Sequence, residues 1–262
     1  MQKEDVMAKE LVSIIMISHN NANYVGESVN SVLTQTYQNW ELLAVDDAST
    51  DNTLEVLLDF LRKDRRVTVT QNVFNKGKRH SENYALKDVK GQYVAFLNVG
   101  DTWEPTKLEK QIAFMKEHGY FYTYTEYRLM DSQSKDMGII QSGLNRVTKK
   151  DMLKCCWPGY LTVIYDAKNL GLMQVNFLKI SNEYALLLQV SEKADCYLLK
   201  ECLANNRVYN KLTNRLSLLN KFKWRYDVYR VIEKMNPIKS FSMACANVYC
   251  TLRKMKVYRR KG

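Results

Sequence analysis

Three polar runs each close an apolar stretch of this chain: SHNN at 18–21, DDAST at 46–50 and NVGDTW at 98–103. Their carboxylates, Asp46, Asp47 and Asp101, could accept hydrogen bonds, hold a cation or take a proton. Several chemistries are excluded at once. The ten glycines never form GxGxxG, GxxxxGK[ST] or GxSxG, so dinucleotide, P-loop and hydrolase-elbow sites lack their backbone geometry. His19, His80 and His118 fit no metal-binding spacing. The six cysteines form no CxxC pair, which suggests reduced and mostly buried thiols.

The elements that must position these runs are legible from periodicity. Val12–Ile17 is a continuous, β-branched stretch, as expected of a strand covered on both faces. Val25, Val29, Val32 and Leu33 recur at helical spacing to about Gln35, and Trp40–Val45 is apolar again. A helix carrying Leu54, Leu57, Leu58 and Leu61 follows, then a strand at 67–70, a short helix at 81–87 and a strand at 93–97. Pro105 stands at a plausible first helical position before Leu108, Ile112 and Met115. Alternating strands and helices imply a parallel sheet whose ligands bind beyond the carboxyl ends of the strands. The three polar runs should therefore line one crevice.

Beyond Gly119 the pattern loosens. Strands are expected over 121–129 and 161–165, and Ser181 is a candidate cap for a helix carrying Tyr184, Leu187, Leu188 and Val190. Two amphipathic helices with basic faces, parted near Pro237, end the chain. Residues 211–262 hold 14 Lys and Arg against two acids, a net of +12; the remainder, 25 against 26, comes to −1. No apolar run approaches the roughly 18 residues that span a bilayer, and MQKEDVMAKE lacks an apolar signal-peptide region, so a cytoplasmic location is expected.

The run VSIIMISHNNANYVGESVNSVLTQTYQNWELLAVDDASTDNT resembles the opening of the family 2 glycosyltransferases, and NKGKRHSENYAL, YVAFLNVGDTWEPTKLEKQ and SNEYALLLQ continue the likeness. That family comprises inverting enzymes with the GT-A nucleotide-sugar-binding fold. The resemblance implies an α/β, Rossmann-like, mixed but mainly parallel sheet with helices on both faces, plus a C-terminal helical extension. The expected division is a leader at 1–10, a nucleotide-sugar-binding half at 11–118, an acceptor-binding half at 119–210 and a basic helical tail at 211–262.

By the same resemblance Asp47, beside Asp46, would hydrogen-bond the nucleoside, and Ser18, His19 and Asn20 would lie against the base or ribose. The alternatives are a turn acid that caps the next helix and a surface histidine. Glu82 stands where the family usually has an arginine that helps hold the nucleotide. Lys78 and Arg79 would substitute for it, or are simply exposed loop charges, while Gly77 and Asn83 match the pattern. Relatives carry a DxDD-like cluster where this chain has NVGD. Asn98 and Gly100 replace two acids, which leaves Asp101 as ligand for Mg²⁺ or Mn²⁺, or as an ordinary turn acid before the next helix. Glu183, with Asn182 before it, falls at the catalytic-base position, where the helix dipole alone also favours an acid.

The expected function is inverting transfer of a sugar from a nucleotide diphosphate sugar, a UDP-sugar by preference, to a hydroxyl of a glycan or glycolipid in cell-surface polysaccharide synthesis. A non-catalytic nucleotide- or glycan-binding relative is the alternative, given the changes at Glu82, Asn98 and Gly100. Docking of the basic tail at the inner face of an anionic membrane is expected, with solvated helices packed back on the domain as the alternative. A nucleic-acid partner through that tail is the remaining rival.

Overall fold

The computed structural model describes residues 8–174, 182–209 and 214–261. Strand and helix alternate first: β1 (Ala8–Ser18), α1 (Ala22–Leu33), β2 (Trp40–Asp46), α2 (Thr53–Lys63), β3 (Val67–Gln71), α3 (Lys78–Lys87), β4 (Gly91–Phe96), β5 (Thr102–Trp103) and α4 (Lys107–His118). There follow β6 (Tyr122–Met130), β7 (Asp136–Gln141), β8 (Arg146–Val147), α5 (Lys149–Lys154), β9 (Ile164–Asp166), α6 (Ala167–Leu170), α7 (Asn182–Lys193) and β10 (Cys196–Arg207). The chain closes with α8 (Asn214–Val231), α9 (Pro237–Val257) and β11 (Arg259–Lys261).

β4, β1, β2 and β3 run parallel in that spatial order, with Val12 of β1 opposite Trp40 on one side and Tyr93 on the other. β9 joins β4 to β6 by antiparallel pairing, and β10 runs parallel to β6. The sheet is therefore mixed and mainly parallel on the side that carries the three polar runs. Successive residues of β1 alternate between two cores, which is why the strand reads as continuously apolar. Val12, Ile14 and Met16 pack with Val25, Val29 and Leu57 on one face, while Ile15 packs with Ala85, Leu86 and Leu187 on the other.

Three sequence expectations shift. β1 begins at Ala8, inside the expected leader, because the Ala8 amide bonds to Lys90 O at 2.7 Å. Pro105 precedes α4 rather than opening it, and its carbonyl accepts from the Thr36 amide at 2.8 Å. The 161–165 strand shortens to β9, because Tyr160–Thr162 forms a 3₁₀ turn whose Leu161 carbonyl accepts from the Trp103 indole at 2.8 Å. Ser181 lies outside the described residues. Of the six free cysteines, Cys155 and Cys196 are buried, whereas Cys245, near the middle of α9, is exposed.

The tail is not a separate appendage. Val228, Tyr229 and Ala244 are fully buried in the core shared with α5 and α7, and burial of the first two side chains contributes about 1.5–3 kcal/mol each. The Tyr229 hydroxyl donates to Leu153 O at 2.5 Å, and β11 adds an antiparallel edge to β7. Among the described residues no helix is long and apolar enough to cross a membrane.

Candidate functional site

β1 and β2 end side by side, with Ser18 opposite Asp46. Asp46 is fully buried and turned inward, accepting from the Ser49 amide at 3.0 Å and the Ser49 hydroxyl at 2.5 Å. The Ser18 hydroxyl donates to Val45 O at 3.4 Å, so both residues shape the loop from behind. Asn20, in the left-handed region at φ 52°, accepts from the Thr50 amide at 2.8 Å and ties the first two polar runs together. His19 is exposed; its Nδ1 lies 2.9 Å from Asp47 O and its Nε2 3.1 Å from the Asn75 amide nitrogen. That network sets the neutral ring's proton on Nδ1.

Asp47 is a clamp. Its carboxylate accepts from Asn72 Nδ2 at 2.6 Å, the Lys76 amide at 2.9 Å and the Gly77 amide at 2.8 Å. Burial works against its charge, but these donors and Ser81 outweigh it and hold the carboxyl below its usual range. The clamp fixes the loop at Gly77, whose φ of 82° suits glycine, and so sets the start of α3. The first residue of α3 is Lys78.

From there Lys78 reaches the centre of the crevice. Its ammonium donates to Asn98 Oδ1 at 2.6 Å, pairs with the Glu183 carboxylate and lies 5.2 Å from the centre of the Tyr160 ring. Burial opposes that charge, and Glu183, Glu82 and Asp101 overcome it, so the ammonium is held above the usual lysine value. Glu82 is 3% exposed and accepts from the Tyr160 hydroxyl. Burial pushes its carboxyl up to about 7 against the pull of Lys78.

The NVGD turn is held from both sides. The Ser28 hydroxyl accepts from the Gly100 amide and donates to Asp101 O, both at 2.8 Å. Asp101 Oδ1 accepts from the Arg207 amide at 2.9 Å and Asn206 Nδ2 at 3.0 Å, and burial raises this carboxyl to about 7. Gly100 has φ 98°, and a Cβ there would overlap the Tyr209 hydroxyl. Tyr209 therefore fills the space where a second acid would project. The residues fit a cation only in a limited way. Asp101 would supply the carboxylate and Asn98 an amide oxygen, and substrate phosphates and water would have to complete the shell, a set that Mg²⁺ tolerates. Among the described residues no three His, Cys, Asp or Glu side chains converge on one point.

Lys78, Asn98, Asp101 and Glu183 thus meet in one place. Arg79 and Asn83 do not join them; they line a separate hollow with His80, Tyr84 and Gln174. Sequence reasoning missed Tyr160, Arg207 and Tyr209. Arg207 ends β10 and Tyr209 follows two positions later, and no local signal marks them as neighbours of residues more than a hundred positions earlier. Arg207 also pairs with Glu27 and its guanidinium lies 4.7 Å from the centre of the Tyr24 ring. Glu183 also lines a cavity of about 400 Å³ that Lys78, Asn98 and Asp101 do not line, walled by β6, β7, α8, α9 and β11.

Comparison with known proteins agrees with this architecture. The sequence model described as "Glycosyl transferase family 2" matches residues 13–161. TuaG of Bacillus subtilis (strain 168), a glycosyltransferase assigned provisionally to teichuronic acid biosynthesis, is 34% identical over 238 residues, 88% of this chain and 92% of that protein. WfgD of Escherichia coli, a UDP-Glc:α-D-GlcNAc-diphosphoundecaprenol β-1,3-glucosyltransferase, is 37% identical over 177 residues, 68% of each chain. The crystal structure of residues 1–349 of TarS from S. aureus with UDP-GlcNAc superposes with a TM-score of 0.67 at 19% identity, over 89% of this chain and 70% of that one. The fold is GT-A, in which divalent cations are often used. The alternating parallel sheet, the crevice at its strand ends and the extended sequence match together show that the chain belongs to glycosyl transferase family 2.

Proposed function

We propose that this enzyme transfers a hexosyl group, with inversion, from a UDP-sugar to a hydroxyl of a lipid-linked glycan acceptor during cell-surface polysaccharide synthesis. The observation that carries the reading is the position of Glu183. Its carboxylate meets Lys78 in the crevice at the strand ends, and the same residue lines the cavity walled by the last two helices. A base for acceptor activation belongs at such a junction.

In this reading the donor diphosphate enters above the NVGD turn and draws the Lys78 ammonium away from Glu183. The freed carboxylate takes the proton of the acceptor hydroxyl as its oxygen bonds to the anomeric carbon. The bond from that carbon to the diphosphate breaks, and its electron pair leaves on the β-phosphate oxygen, where Lys78 stabilises the charge. Asp47 shapes the nucleoside end through the loop it clamps, with His19 and Asn20 at the rim. A divalent cation would be held by Asp101 with Asn98 and would supply further neutralisation of the diphosphate.

A membrane-bound acceptor also suits the surface of the last two helices. Leu219 and Ile238 are 73% and 84% exposed, and Phe241, Tyr249 and Val257 are exposed beside Lys223, Lys239, Arg253 and Lys256. Apolar groups among cations match an anionic interface. The test is turnover of a UDP-sugar panel with a diphosphate-lipid-linked N-acetylglucosamine acceptor, with the anomeric product read by NMR. UDP release without a glycosylated product would mean hydrolysis of the donor and would overturn the acceptor assignment, and no turnover with any donor would leave a binding protein in place of an enzyme.

A further inference from the structure

The cavity that Glu183 lines also holds three cations, and Glu183 is its one carboxylate. Arg225 comes from α8, Lys254 from α9 and Arg259 from β11, and Glu183 is already paired with Lys78. Each cation is aimed rather than loose. The Arg225 guanidinium lies 3.5 Å from the centre of the Tyr184 ring, and its Nε donates to Asn247 Oδ1 at 3.1 Å. Lys254 is 7% exposed, and its ammonium donates to Trp157 O at 2.5 Å and Cys156 O at 3.1 Å, which leaves one of its three protons for a ligand. The Arg259 Nε donates to Gln141 Oε1 at 3.2 Å.

We infer that this cavity is a diphosphate site, in which Arg225, Lys254 and Arg259 hold the phosphates linking the acceptor sugar to its carrier while a hydroxyl of that sugar reaches Glu183. The inference rests on the reading of Glu183 as acceptor base. A cavity of about 400 Å³ lies within the range of about 300–1,000 Å³ of small-ligand pockets. Guanidinium groups match phosphate oxygens two at a time, whereas a neutral glycan would gain little from three converging cations. Burial pushes the Lys254 amine below its usual value, with the neighbouring thiols acting the other way, so an arriving phosphate would favour the charged form. The helices that supply two of the three cations also carry the exposed apolar surface, so the carrier chain could pass from the cavity to a membrane without crossing the sheet.

Titration calorimetry on the full chain, pre-saturated with UDP so that the donor crevice is filled, decides this with geranyl diphosphate as probe. Binding is expected, and Arg225→Gln, Lys254→Gln and Arg259→Gln should each weaken it at least about tenfold, the scale of one charge-assisted hydrogen bond, with UDP affinity unchanged. Arg259 is half-buried, so its variant reports even if Lys254→Gln fails to fold. No geranyl diphosphate binding beside normal UDP binding overturns the inference and spares the transferase reading. Equal binding by wild type and all three variants overturns it as well. If UDP itself does not bind, the transferase reading fails, and loss of geranyl diphosphate binding in the variants alone would still establish the anion site. If the substitutions reduce binding to phosphatidylglycerol vesicles and not to geranyl diphosphate, the cavity holds a lipid headgroup and the inference is wrong.

Discussion

Lys78 and Glu183, 105 positions apart in sequence, form an ion pair at the centre of the crevice, and the same ammonium bonds Asn98 at 2.6 Å. The pair is roughly two-fifths exposed on each side, so it contributes little to stability. Its consequence is functional. A cation that a donor diphosphate can draw away from the base couples donor binding to the freeing of that base.

Replacing Lys78 by Met should therefore weaken UDP binding by about ten- to a hundredfold, the scale of a hydrogen bond to a charged group. Calorimetry without added metal isolates this contribution. Unchanged affinity would mean that the ammonium stays on Glu183 and Asn98 and never meets the diphosphate.

Asp101→Asn should abolish any Mn²⁺-dependent gain in UDP affinity while leaving the metal-free affinity near that of the wild type. Its partners, the Arg207 amide and Asn206, can still donate to the remaining oxygen, so the fold should survive. Retention of a full Mn²⁺ effect would place the ion on other ligands.

Gly100→Asp, which from sequence alone looks like a restoration of the metal cluster, should instead destabilise. The φ of 98° strains any side chain there and costs about 1–3 kcal/mol, and the new Cβ also forces the Tyr209 hydroxyl to move. A chemical melt checks it against Gly100→Asn, since asparagine tolerates positive φ better: Gly100→Asp should lose stability and Gly100→Asn less, and an Asp variant as stable as wild type would exclude the strain.

Glu82 gives a pH signature. Its carboxyl rises from 4.5 to about 7 because burial disfavours the charge, with Lys78 and Tyr160 acting the other way. The folded chain then holds more protons than the unfolded one between those values, so this group's contribution falls as pH rises through that window. Glu82→Gln, which can still accept from Tyr160, should raise Tm relative to wild type by at least about 2 °C at pH 8 and have little effect at pH 4. An equal shift at both pH values would contradict the assignment.

Much of this site was readable before the structure. Strand ends marked by SHNN, DDAST and NVGD do converge, because β1, β2 and β4 are adjacent and parallel and read as apolar runs broken by polar turns. Less local relations were not readable. Asp47 was expected to face a nucleoside, and its clamp on Lys76 and Gly77 depends on where a loop 29 positions later comes to rest. The filling of the Gly100 space by Tyr209 depends on the antiparallel pairing of β5 with β10, which no periodicity in either segment encodes. The tail's charge and its two possible docking surfaces were visible, but the choice that buries Tyr229 against α5 and α7 was not, since an amphipathic stripe looks the same whether it meets a membrane or a protein core.

The most direct test of the account is Glu183→Gln, measured for both turnover and UDP affinity in one preparation. If Glu183 is the base and the competitor for Lys78, turnover should fall by about 10² to 10⁴, while UDP binds as tightly as in wild type or a few-fold tighter. Near-normal turnover, or a parallel loss of UDP binding, would contradict it.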